Sequence, residues 1–153
     1  MTGASFLRDI AITTARVDPD TPFGEAATAL SAANTSALAV VDAEDRLHGL
    51  FTHDDLLRGV FDQYLDELHH TAFLDQQFDE VLDRLRETAT HLVTQYAQET
   101  EPVDVGAGAA HVAERFIHSP AAALAVVSQR RFLGIVEQRD FCRFLVATAT
   151  ERP

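Results

Sequence analysis

Five consecutive apolar residues, Ala37-Leu38-Ala39-Val40-Val41, stand between the polar runs Asn34-Thr35-Ser36 and Asp42 to Arg46. A short unbroken apolar run bounded by turn residues predicts a strand covered on both faces. Leu47 to Phe51, beyond the polar turn, predicts a strand returning beside it. Upstream, Ile12 to Val17 predicts an edge strand, and Asp18-Pro19-Asp20 turns the chain. Thr21 then offers an N-cap and Pro22 a first helical position. That helix runs to about Ala33, with Phe23, Ala26, Ala27 and Leu30 along one side. Met1 to about Ile10 predicts only a short lead-in. Thr52 caps a second helix, whose first turn carries Asp54 and Asp55, where the helix dipole favours acids.

The whole pattern recurs. Ala123-Leu124-Ala125-Val126-Val127 repeats the strand letter for letter, 86 residues on, and Val103-Asp104 repeats Val17-Asp18 at the same offset. Gly134-Ile135-Val136 and Asp140 answer Gly49-Leu50-Phe51 and Asp55 at an offset of 85, so one residue is lost inside a polar turn. An internal duplication with this long a period means two small domains rather than a solenoid. The second copy predicts a helix from about Ala109 to Ile117, strands over Ala123 to Val127 and Phe132 to Val136, and a helix from Arg139 to about Ala147.

Between the copies, after Gly59 and before Pro102, there is neither Gly nor Pro. Phe61, Tyr64, Leu68, Leu74, Phe78, Val81, Leu85, Leu92 and Tyr96 recur at mostly three- and four-residue spacings, the sign of amphipathic helix. This predicts an extension of the second helix to about Leu68, a break near His69-His70-Thr71 and a helix from about Ala72 to Tyr96. The expected organisation is a first unit over 1–61, a helical connection over 62–95 and a second unit over 96–153. The connection carries more apolar stripe than a linker needs, so it packs on the units or on a second copy of the chain.

Composition narrows the partners. The 153 residues hold 24 acidic and 12 basic residues, all of the latter Arg, for a net charge of −12. Such a surface repels nucleic acid and anionic lipid. No apolar segment approaches the ~20 residues of a membrane span, and no signal-peptide pattern opens the chain, so a cytoplasmic protein is expected. Cys142 is the only cysteine and lies in an apolar run, which predicts a buried, inert thiol.

Two copies of strand–helix–strand–strand–helix, each ending in Gly, two apolar residues and, a few positions on, Asp, resemble the cystathionine-β-synthase (CBS) domain pair, or Bateman module. The resemblance covers roughly residues 5–61 and 90–147, and Val17-Asp18-Pro19-Asp20-Thr21-Pro22 is similar to the family's entry into its first helix. It implies an α/β (α+β) fold of two tandem β-α-β-β-α units, a homodimer, and an adenosine-nucleotide ligand (AMP, ADP or ATP type) in clefts between the units. It also implies an attached or separate regulated protein and no catalytic residues.

The residues themselves carry compatible chemistry. Gly49 lets the backbone approach a partner closely. Thr52 places a hydroxyl at a helix N-terminus, where phosphate is favoured. Asp55 can accept from both hydroxyls of a ribose. Equally, Thr52-x-x-Asp55 is a variant capping box, with the carboxylate turned back on the cap. The second copy has Glu137 in place of Thr52, and an ionised Glu repels phosphate. Nucleotide-binding candidates are therefore Gly49, Thr52 and Asp55, with Val17, Arg139 and Asp140 added by the resemblance, and one competent cleft is expected at most. His48, His53, His69 and His70, with Asp66, Glu67 and Asp75, lack metal-ligand spacing and read as a solvated face. No nucleophile elbow or P-loop appears. The expected function is a non-enzymatic sensor of an adenosine nucleotide; the alternative is a ligand-free dimerisation adaptor.

Overall fold

The computed structural model describes residues 6–10, 12–68, 78–119 and 121–151. Its elements, in chain order, are α1 (Phe6–Asp9), β1 (Arg16–Val17), α2 (Phe23–Ala32), β2 (Ala37–Val41), β3 (Leu47–Thr52), α3 (His53–Leu68), α4 (Phe78–Thr88), a 3-10 turn (Val93–Gln95), β4 (Val103–Asp104), α5 (Ala109–His118), β5 (Ala123–Ser128), β6 (Arg131–Glu137) and α6 (Gln138–Glu151). They form two three-stranded sheets, β1-β2-β3 and β4-β5-β6. In each, the first pair is parallel and the second antiparallel. Register repeats as closely as sequence does: Val17 lies opposite Val40 and Val103 opposite Val126, with a bulge after Val40 and another after Val126. The lost residue falls where the β5–β6 turn is tight, with φ of 51° at Gln129 and 67° at Arg130.

Strands β2 and β5 are covered on both faces, and alternation sorts their side chains. Leu38 and Val40 point into the first unit's helical core with Phe23, Leu30 and Phe51. Leu124 and Val126 do the same in the second unit with Val112, Phe116 and Phe141. The opposite faces, Ala37, Ala39 and Val41 with Ala123 and Ala125, meet across the interface between units, joined by Leu50, Phe132 and Ile135. The small residues of the repeated pentapeptide thus let two sheets pack closely.

The lead-in is not peripheral. Phe6, Leu7 and Ile10 are buried in the core of the second unit, not the first. Val93, 86 residues after Leu7, is buried in the core of the first. Thr13 then bridges Ile135 of β6, and Gln98, 85 residues after Thr13, bridges Leu50 of β3. Each bridge has two main-chain hydrogen bonds of 2.8–3.0 Å. The units therefore exchange their leading segments reciprocally, each completing the other's sheet edge.

Several local expectations are corrected. Helix α4 ends at Thr88 rather than Tyr96. The chain there hooks onto the start of α2, where the Phe23 and Gly24 amides donate to the His91 and Ala89 carbonyls at 2.7 and 3.0 Å. Those carbonyls satisfy orphan donors that Thr21 was expected to cap; α2 begins at Phe23, with Pro22 as cap and no side-chain cap bond. The edge strand shrinks to Arg16–Val17, because Thr13 is drawn away to β6. Cys142 is exposed, not buried: it lies beside Phe141 on α6, and that buried ring takes the core-facing position. Of the apolar stripe between units, Val81, Leu85 and Tyr96 pack on the first core, whereas Phe78 is 72% exposed. Leu74, the break near His69 and the helix start near Ala72 lie outside the described residues.

Candidate functional site

Among the described residues, two clefts lie where the units meet. The first, about 240 Å³, is lined by Leu50, Thr52, Asp54 and Asp55 from the β3–α3 junction and by Gln98, Glu99, Thr100, Ser119 and Ala121 from the second unit. The second, about 430 Å³, is lined by Leu30, Ser31 and 33–36 with His53 on one side and by Ala122, Glu137, Gln138 and Arg139 on the other.

The first cleft is built around a helix start. Thr52 caps α3: the Asp55 amide donates to its hydroxyl at 3.2 Å. The Asp55 carboxylate turns back and accepts from the Thr52 amide at 2.9 Å and its hydroxyl at 3.0 Å, completing the capping box. Asp55 is 2% exposed. Burial pushes its carboxyl above the usual carboxylate range, opposed by hydrogen bonds from Thr52 and the Gln98 side chain. Both Thr52 contacts fall on Oδ2, so the carboxylate keeps acceptor capacity beyond the box. The described lining includes three acids, Asp54, Asp55 and Glu99, and no base. It therefore suits a neutral or weakly charged partner offering hydroxyl or amine donors, and opposes a polyphosphate.

The second cleft is built differently. Glu137 stands where the first unit has Thr52, and it is buried. Its Oε1 accepts from the Thr35 hydroxyl at 2.6 Å and the Ser36 amide at 2.7 Å, and its Oε2 from the Ser36 hydroxyl at 2.5 Å. Arg139 reaches across to the Asn34 carbonyl and amide oxygens at 3.4 and 3.5 Å.

Of the residues singled out in sequence, Thr52 and Asp55 share the first cleft and Arg139 lines the second. Gly49 sits behind the first cleft, under the crossing Gln98 backbone. Val17 packs on the first core, and Asp140 pairs with Arg143 at 3.6 Å; neither lines these clefts. Sequence reasoning missed Gln98, Glu99, Thr100, Thr35 and Ser36. The legible offset upstream of the repeated strand is 86, which sets Thr13 against Glu99 rather than Gln98, and nothing local marks either segment as crossing to the other unit. Among the described residues no group of three His, Cys, Asp or Glu side chains could hold a metal, and no helix is long and apolar enough to cross a membrane.

Comparison with known proteins bears on this arrangement. Residues 7–62 match the family profile described as CBS domain. That match spans the first unit, whose residues are therefore similar to a CBS domain.

The chain's pair architecture is shared along nearly the whole length by solved structures. A CBS-domain protein of unknown function from Bacillus anthracis superposes with a TM-score of 0.69 at 22% identity, covering 94% of this chain and 92% of that one. A CBS-domain protein from Agrobacterium tumefaciens gives 0.67 at 20%, covering 93% and 92%. Another of unknown function, from Kribbella flavida, gives 0.67 at 19%, covering 96% and 99%. No curated protein matches the sequence. At these identities the likeness establishes a CBS pair fold.

Proposed function

We propose that this CBS pair is a non-enzymatic regulatory module that takes one adenosine-class ligand, in its first cleft. The observation that carries the reading is the difference between the clefts. Thr52 and Asp55 stand at an open junction opposite Ala121, whereas the corresponding position of the other cleft is filled by the Glu137 side chain. Asp55 supplies an acceptor for ribose hydroxyls, and the α3 N-terminus with the Thr52 hydroxyl supplies a place for one phosphate. The acids along the lining favour nucleoside, AMP and ADP over free ATP. Ligand and unliganded states must differ at the β3–α3 junction or the Gln98 crossing for a signal to leave the cleft, since only differential affinity shifts an equilibrium. The receiver is a separate regulated protein or the chain's own assembly. The exposed apolar residues Leu57, Phe78, Ile117 and Val146 support a homodimer.

A ligand-free adaptor is the competing reading, favoured by the capping box, in which Asp55 serves α3 whether or not a ligand is present. A thermal-shift panel of adenosine, AMP, ADP, ATP and S-adenosylmethionine separates the two. A ligand bound only by the native state adds about 2.7 kcal/mol at a hundredfold excess over its Kd. No shift from any compound favours the adaptor.

A further inference from the structure

The second cleft holds a buried carboxylate with no basic partner within ion-pair distance among the described residues: Glu137 is 6% exposed. Arg139, two residues on, turns instead to Asn34. A buried charge without a counter-ion persists only where dipoles replace water. Three donors do so here, the Thr35 hydroxyl and the Ser36 amide and hydroxyl, all at 2.5–2.7 Å. Glu137 also precedes the 14-residue helix α6, whose N-terminal field favours a negative charge.

The first cleft lacks both halves of this contact. At the offset of 86, Thr35 and Ser36 correspond to Ala121 and Ala122; at 85, Glu137 corresponds to Thr52. The donors occur opposite the carboxylate, and neither occurs at the other cleft. Thr35 and Ser36 lead into β2 of the first unit, and Glu137 ends β6 of the second, so the contact spans the interface.

We propose that Glu137 is a tethered anion: it occupies an anion-binding niche made by Thr35 and Ser36, shuts that niche to free oxyanions, and latches the two units together. The first cleft has no such latch and remains the side at which the units can adjust. This goes beyond the adenosine reading, and its test uses no adenosine compound.

The test removes the carboxylate and offers the niche a free one. The Ser36 amide proton is followed by NMR in the full chain, in Glu137→Ala and in Glu137→Thr, which carries the residue the first unit has at that position. Acetate and inorganic phosphate are each titrated against chloride at constant ionic strength. In both variants the Ser36 amide should move upfield and exchange roughly tenfold faster or more, because its hydrogen bond is gone. Acetate or phosphate should return it saturably toward its native position and raise the melting midpoint. The unaltered chain should not respond, and adding Thr35→Val to either variant should weaken the recovery. An unmoved Ser36 amide in a folded variant, or an anion response no larger than that of chloride, would overturn the proposal. If Glu137→Ala does not fold, Glu137→Thr carries the same readings.

Discussion

Gly49 lies under the Gln98 carbonyl: a Cβ on Gly49 would stand 2.6 Å from that oxygen. At the equivalent place in the other unit, a Cβ on Gly134 would stand 2.9 Å from the Thr13 carbonyl and 2.0 Å from Ile12 Cγ2. Both glycines serve the crossing segments that exchange between the units. Gly49→Ala should therefore push the Gln98 backbone off β3 and break a pair of 3.0 Å hydrogen bonds. The expected loss is about 1–3 kcal/mol in urea unfolding. A change within experimental error would mean that the crossing is not held by this contact.

Leu7 tests the exchange from the other side. It is fully buried in the core of the second unit. Leu7→Ala should cost about 2–5 kcal/mol, as for a central core residue. A loss of only a few tenths would place the N-terminal segment off the core.

Asp55 makes stability depend on pH in an unusual direction. Its carboxyl titrates above the usual range, so the folded state holds the proton more tightly than the unfolded chain. Stability from this group is complete below the ordinary carboxylate pKa and is lost as pH rises through the folded value. Asp42 has the opposite sign. Its contacts with His48 and with the Arg46 and Glu44 amides hold its carboxyl well below the usual range, so its contribution is present above the ordinary pKa and is lost in acid. The stability difference between the natural chain and Asp55→Asn should fall as pH is raised from about 4 and then level off. A difference that rises over that interval would contradict the burial argument.

Assembly is tested by sedimentation equilibrium at micromolar concentration, where a homodimer gives twice the 16.8 kDa chain mass. Phe78 is 72% exposed, so Phe78→Asp should leave unfolding stability within about 0.5 kcal/mol while shifting the equilibrium toward monomer. An unaltered chain that sediments as a monomer would remove the dimer, and with it the adaptor reading.

The repeated pentapeptide made the two sheets legible, because a short apolar run bounded by polar turns leaves few alternatives. The Thr52 cap and the Asp55 box were legible for a similar reason: their physics is contained in four residues. What escaped were contacts between residues far apart in the chain. Nothing near Leu7 or Val93 says which core each enters, and the carbonyls of Ala89 and His91 cannot be seen from Phe23 and Gly24. Cys142 misled because an apolar run was read without helical phase, and Phe141 already occupied the inward position. Glu137 was read as a charge that repels phosphate. Its partners Thr35 and Ser36 lie 102 and 101 residues away, and they make that charge a structural contact.

The central claim, one adenosine-class ligand in the cleft of Thr52 and Asp55, is met most directly by calorimetric titration of the natural chain, Asp55→Ala and Asp140→Ala. The account predicts one site per chain, with nucleoside, AMP or ADP preferred over ATP. Asp55→Ala should weaken binding at least about tenfold, given roughly 1.5–3 kcal/mol for each charge-assisted hydrogen bond lost. Asp140→Ala should leave affinity nearly unchanged, since Asp140 faces Arg143 and lines neither cleft. Two sites per chain, equal losses from the two variants, or no heat with any adenosine compound would contradict it.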